Sequence, residues 1–327
     1  MTCPPRFAAF ALSFVFTTTA FPAAPPASEA AAQKIQVHGH RGARAMRPEN
    51  TLPAFEYAIG VGVDVLELDM AVTKDNVIVV SHDPILRPPV CSGPAPMAVI
   101  HQLTLAQVRQ WDCGKLRNPQ FATQQPVPGT KMPTLDEVFQ LAPRGNFKFN
   151  IETKIFPTRT TQAQAEAALK QPGISADSAE GKSALATLLA VGPDVTPSPD
   201  DFARLVLAKI RQYHLEDRVI LQSFDFRTLH AMKQLAPEIQ LSALTTDANR
   251  SFVDMAKEAG AQIISPVWQT VSPAKVKAAH DAGLTVIPWT ANTPADWDTL
   301  IAAHVDAIIS DNPAALIAYL KTRQPRL

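Results

Sequence analysis

From residue 34 to the C-terminus, short apolar runs of strand character alternate with longer helical patterns. The runs are KIQVHGH (34–40), DVLELDMAV (64–72), FKFNIETK (147–154), RVILQSF (218–224), IQLSALT (239–245), AQIISPVW (261–268), LTVIPWTA (284–291) and AIISDNP (307–313). Strands that alternate with helices imply a parallel sheet. Eight such units fit a (β/α)8 TIM barrel of roughly 250 residues, with room for insertions. An open doubly wound sheet is the competing arrangement, but no GxGxxG follows the first run, so its dinucleotide-binding form has little support. Residues 31–327 therefore read as one barrel domain. Two segments break the repeat after the second and third strands: 84–133, rich in Pro and Gly, and 155–201, rich in Ala, Ser and Pro. Both leave strand ends, so they are expected over the barrel mouth as a cap and a lid.

The formal net charge is zero, which favours neither a nucleic-acid partner nor an anionic membrane surface. At the N-terminus, Arg6 precedes an apolar run from Phe7 to Phe16 and then small residues. That is the layout of a secretory signal peptide, and the run is too short to span a bilayer. Residues 1–30 are thus expected to be removed, with cleavage after Ala20 or after Ala30, leaving an exported, periplasmic or secreted protein without a stable membrane anchor. An uncleaved anchor is the competing reading. Cys3 leaves with the leader, and the remaining Cys91 and Cys113 flank one loop-like region. In an exported chain such a pair reads as a disulfide.

In a barrel, functional side chains gather where the strands end. Polar groups do so here: His40 and Arg41 on the first strand, Glu67 and Asp69 on the second, Glu152 and Lys154 on the third. Gln222, Trp289 and Asp311 end the fourth, seventh and eighth. Strand side chains alternate, so LELD turns Glu67 and Asp69 to one face, and NIETK turns Asn150, Glu152 and Lys154 to one face. Three inward carboxylates make an oxygen-only site suited to one divalent ion, Ca2+ or Mg2+; plain ion pairing of Glu152 with Lys154 is the blander account. The polar turn in AVTKDNVIVVSHD suggests a hairpin. A two-residue loop at Asp75-Asn76 would set Asp69 opposite His82, and a three-residue loop would shift that register by one. Either way His40 and His82 flank the acidic cluster. Two imidazoles suit a general base and a general acid, while arginine and a metal suit a phosphoryl oxygen. Phosphodiester cleavage follows. Gly39 and Gly42 allow a sharp bend, Asn50 or Thr51 caps the helix beginning near Leu52, and Glu49 is placed to orient Arg41. The remaining histidines, His101, His214, His230, His280 and His304, read as structural, and so does His38, although it shares a face with His40 and a supporting role behind the site is its competing reading.

Taken in order, HRGARAMRPENT, ELDMAVTKDNVIVVSHDP, PTLDEVF, IETK, QSFD, PWTAN and ISDNP resemble the glycerophosphodiester phosphodiesterase family, from about residue 35 to the C-terminus. The resemblance implies a TIM barrel that hydrolyses small-molecule glycerophosphodiesters to glycerol 3-phosphate and an alcohol such as choline or ethanolamine. It implies a metal on Glu67, Asp69 and Glu152, and His40 and His82 as acid and base. Arg41 and Lys154 would hold phosphate, and Trp289 would line the glycerol side. A barrel acting on whole lipids, as a lysophospholipase D, is the alternative. It needs an apolar entrance, for which PAPMAVI and ALATLLAV in the two insertions are the candidates. A non-catalytic exported binding protein is hard to reconcile with the intact set of histidines and carboxylates.

Overall fold

The computed structural model describes residues 1–2, 34–170, 175 and 177–323; most of the expected leader lies outside the described residues. Eight strands form the barrel wall: β1 Gln36–Gly39, β2 Val65–Val72, β3 Lys148–Thr153, β4 Val219–Ser223, β5 Gln240–Thr245, β6 Ile263–Pro266, β7 Thr285–Val286 and β8 Ala307–Ser310. They pair in parallel in the order β7-β6-β5-β4-β3-β2-β1-β8. Backbone bonds from Asp306 N–H to Val286 O and from Ile309 N–H to Pro288 O, 3.1 and 3.0 Å, bring β7 and β8 together. The chain is a (β/α)8 TIM barrel.

Helices follow the strands because the sequence supplies their ends. Ser198, Asp225, Ser251, Ser272 and Thr293 each accept a backbone N–H in the first turn of the helix they open, meeting donors that would otherwise stay unpaired. Gly62 and Gly260, both left-handed, close the helix Leu52–Val61 and the helix that Ser251 opens, a conformation that favours glycine. The outward faces of the strands (Leu66, Leu68, Phe149, Ile151, Leu221) pack with helix residues such as Phe55, Phe202 and Leu229 in the main core. Inside the barrel a separate apolar group, Ile220, Ile263, Ile287, Ala307 and Ile309, runs from the lower end up to the level of the active-site cavity. At ~25 cal/mol per Å2 of apolar area, each buried isoleucine of this group contributes roughly 1.5–3 kcal/mol.

A strand at Ile78–Val80 runs antiparallel to the upper part of β2, with Met70 opposite Val80 and Val72 opposite Ile78. Thr73 therefore faces Val77, and Lys74, Asp75 and Asn76 form a three-residue loop with Asn76 at φ 59°. The two-residue loop does not form, and Ser81, not His82, sits opposite Asp69: its N–H donates to Asp69 O at 2.9 Å. Asp75 explains the longer loop, because its carboxylate accepts from Thr73 Oγ1 and from the Leu105 N–H.

The insertions bury one another. Ile85, Met97 and Val99 from the first share a core with Ala165, Leu169, Ala184, Leu188 and Val191 from the second. The buried apolar residues of PAPMAVI and ALATLLAV, among them Met97, Val99, Ala184, Leu188 and Val191, are thus spent on this contact. A second small core under the first insertion joins Cys91, Trp111 and Cys113 to Ala71 and Val79 of the hairpin. Cys91 and Cys113 are linked by a disulfide, S–S 2.02 Å.

Candidate active site

At the upper end of the barrel, β1 leads into a turn that only glycine permits at two points. A Cβ on Gly39 would lie 2.2 Å from Gly42 O, and Gly42 has φ +83° with Ala54 backbone 2.7 Å from a Cβ. This tight turn brings Arg41, itself left-handed at φ 50°, over the end of β2. Its N–H donates to Glu67 Oε2 at 2.8 Å and its Nη1 to Glu49 Oε1 at 2.6 Å. Its Nε lies 3.3 Å from Asp69 Oδ2. Thr51 is the residue that precedes the helix Leu52–Val61, but its hydroxyl bonds Pro48 O rather than capping it. Asn50 turns inward at φ 55° and donates to Asp69 Oδ2 at 2.9 Å.

Glu67, Asp69 and Glu152 are buried and present oxygens within 4.8 Å of one another. Lys154, just past β3, lies 3.1 Å from Asp69 and 2.7 Å from Glu152. Gln222 Nε2 donates to Glu67 Oε1 at 2.8 Å, and Asn150 Nδ2 donates to Gln222 Oε1 at 3.0 Å. Burial pushes the Glu67 carboxyl well above its ordinary range, and Asp69 and Glu152 push it further. Burial also raises Glu152, to about 7, although Lys154 opposes this. Asp69 would rise with burial too, but Lys154 and Arg41 hold it well below. Three crowded carboxylates of this kind repel until a cation joins them. A hard, oxygen-only set of three buried donors fits a divalent metal ion.

Both histidines of the sequence motifs border this cluster, and each has its Nδ1 on a carboxylate. His40 Nδ1 is 2.5 Å from Asp311 Oδ1, and its Nε2 is 4.0 Å from Glu67 Oε2. His82 Nδ1 is 2.9 Å from Asp83 Oδ1. Engaging Nδ1 fixes each ring and leaves Nε2 for the cavity. Burial lowers the proton affinity of His40 against the pull of Asp311, and lowers that of His82 with help from Arg41 and Lys154. Asn292 Nδ2 donates to Asp311 Oδ2 at 2.8 Å, and Arg87 holds Asp83 through two bonds. Asp83, Arg87 and Asn292 were not singled out by sequence reasoning. Nor was Arg44, whose Nε lies 3.2 Å from Glu49 Oε2 and whose guanidinium stacks 4.8 Å over Phe121 of the first insertion. The HD dipeptide was the one local signal for any of them.

The imidazoles, the triad, Arg41, Lys154 and Trp289 all line one cavity of about 200 Å3. Trp289 stands edge-on to Phe224, 5.6 Å between centroids, and donates its indole N–H to Ser265 O. Phe224 and Leu244 also border an open groove of about 690 Å3. Elsewhere, His101 and His230 bond backbone carbonyls and His280 bonds Asp306.

Known proteins resemble this chain in sequence and fold. The model of the glycerophosphoryl diester phosphodiesterase family matches residues 40–176 and 194–315. A glycerophosphodiester phosphodiesterase of Caldanaerobacter subterraneus is 29% identical over 284 residues, 87% of this chain and 97% of that one. A crystal structure described as a glycerophosphoryl diester phosphodiesterase from Silicibacter pomeroyi superposes with a TM-score of 0.73 at 28% identity, covering 89% of this chain and 94% of the other. An Oleispira antarctica phosphodiesterase, solved with the product sn-glycerol-3-phosphate, shares the fold at a TM-score of 0.67 and 20% identity, over 88% and 96% of the two chains. With both motif regions inside the matched residues and the same barrel beneath them, the chain belongs to the glycerophosphoryl diester phosphodiesterase family and is an enzyme of that class.

Proposed function

We infer that the enzyme hydrolyses glycerophosphodiesters such as glycerophosphocholine or glycerophosphoethanolamine to glycerol 3-phosphate and the free alcohol. It does so with one divalent cation, Ca2+ or Mg2+, and with His40 and His82 as the acid–base pair. The observation that carries this reading is the meeting of two carboxylate-held imidazoles and a buried oxygen triad in one cavity. Glu67, Asp69 and Glu152 would hold the cation, which when bound withdraws charge from a phosphoryl oxygen. Arg41 and Lys154 lie beside the triad with donors suited to the other phosphoryl oxygens. One imidazole takes the proton of the attacking oxygen, from water or from the substrate's own glycerol hydroxyl by way of a cyclic phosphate that water then opens, as that oxygen bonds to phosphorus; the P–O bond to the alcohol breaks, and the other imidazole protonates the departing oxygen. Asp311 and Asp83 keep the two rings oriented and stabilise whichever is protonated.

The cavity has room for the glycerol phosphate portion against Trp289, and the open groove past Phe224 for the alcohol. The product held by the Oleispira phosphodiesterase is the one expected here. Export, carried by residues 1–30, belongs to the same proposal and is checked by the N-terminal residue of protein recovered outside the cytoplasm.

The test is activity on glycerophosphocholine before and after EDTA, with Ca2+ or Mg2+ added back. Loss on chelation and recovery with one ion supports the triad as its site. Full activity in EDTA defeats the metal assignment and leaves the histidine pair standing. Turnover of lysophosphatidylcholine without turnover of any glycerophosphodiester would move the substrate class to whole lipids.

A further inference from the structure

His38 sits on β1 two residues before His40, fully buried, and neither ring nitrogen has a hydrogen-bond partner among the described residues. Two other buried polar atoms share that condition on inward-facing strand positions: Asn150 Oδ1 on β3 and Ser242 Oγ on β5. Strand pairing puts these three residues at one height. His38 pairs with Val65, Glu67 with Asn150, Asn150 with Ile220, and Gln222 with Ser242. In a barrel whose strands tilt by ~36°, the pairing steps down about one residue per strand, and alternate strands contribute to a common layer. On that count His38, Asn150, Ser242 and Ile287 form one layer, and Glu67, Gln222, Ser265 and Ile309 the next above. The bond between Gln222 Nε2 and Glu67 Oε1 joins two members of the upper layer across the barrel and fits this assignment.

The layer below is apolar, made of Val65, Ile220, Ile263 and Ala307, all under 5% exposed. A polar layer is thus enclosed between an apolar floor and the acidic triad. Its unpartnered groups point toward the barrel axis. Burying such groups unmet costs ~1–3 kcal/mol each, so native interiors satisfy them with protein or with ordered water, which takes 2–4 polar partners. His38 stays neutral, because burial lowers its pKa to about 3 against the pull of Asp64. A neutral imidazole offers one donor and one acceptor, the complement that a bridging water needs.

We propose that the barrel core beneath the triad is a built water site, lined by His38, Asn150 and Ser242, and that through it His38 is a positioning residue for Glu67. The route is short. Water held by His38 bonds Asn150 Oδ1, Asn150 Nδ2 bonds Gln222 Oε1, and Gln222 Nε2 bonds Glu67 Oε1. Groups behind a metal ligand fix its orientation, and their loss commonly weakens metal binding by about tenfold or more.

The positioning half of the proposal rests on Glu67, Asp69 and Glu152 binding a cation, and the experiment separates the two. Titration calorimetry with Ca2+ or Mg2+ is run on the full protein and on His38→Leu, His38→Gln and Ser242→Ala, with thermal melts of each without metal. His38→Leu is expected to bind the metal about tenfold more weakly while melting no lower than the parent, and His38→Gln, which keeps a donor and an acceptor, to recover most of the affinity. Ser242→Ala reads the same site if His38→Leu does not fold. Equal affinity in parent and variants overturns the positioning role. A parent that binds no metal defeats the triad reading instead, and leaves the water site to a high-resolution crystal structure. Density within hydrogen-bond distance of His38, Asn150 and Ser242 supports the site, and a dry layer overturns it.

Discussion

Asp311 illustrates how one residue governs another across the chain. It is 271 positions from His40, yet its carboxylate holds the imidazole Nδ1 at 2.5 Å. Asp311→Asn keeps the size but can present an N–H to that nitrogen, favouring the wrong tautomer. Steady-state kinetics are expected to show kcat reduced by roughly 10²–10⁴ with little change in KM; an unchanged kcat would remove Asp311 from the mechanism. Glu67, Asp69, Glu152 and His40 were legible in the sequence because strand parity alone turns them to one face. Asn292 was not, since only the closing of β7 on β8 brings it to Asp311, and Arg44 was not, since its approach to Glu49 depends on the conformation of the turn after β1 and not on strand parity. Asp83 was adjacent to a noted histidine, the one local signal, but adjacency in sequence does not by itself specify the hydrogen bond between them.

At the level of elements, the eight-fold alternation was readable because parallel strands buried on both faces give near-continuous apolar runs. The hairpin register was not, because loops of two and three residues fit the same polar turn, and the choice fell to the Asp75 bonds. Apolar runs in the insertions were equally ambiguous: a run that lines an entrance and one that meets a partner look alike. Their shared core makes a prediction. Leu188, 5% exposed, contacts the group that includes Ile85, Met97 and Val99. Leu188→Ala should cost about 2–4 kcal/mol of local stability. Hydrogen exchange should then speed up in residues 85–99 as well as in 179–195. Acceleration confined to 179–195 would mean that the two insertions are energetically separate.

For the molecule as a whole, His38 makes stability depend on pH in a defined direction. Its folded pKa, about 3, lies below the unfolded value near 6.5, so the unfolded chain binds the extra proton. Stability is therefore full above pH 6.5 and falls as pH drops from there toward 3, by ~1.4 kcal/mol per unit for this one group. Between pH 7.5 and 5 the parent should lose about 2 kcal/mol from His38 alone, a share that His38→Leu lacks. Urea midpoints of the two proteins measured at both pH values check this, and parallel pH profiles would refute it. The apolar floor beneath His38 also makes the barrel a blind alley, with traffic confined to its mouth. If glycerol phosphate occupies the cavity and the alcohol the outer groove, as proposed above, the alcohol must depart first. Inhibition patterns follow from that queue: glycerol 3-phosphate should compete with substrate, and choline should inhibit weakly and without competing. The reverse pattern would mean that the diester lies in the site the other way round.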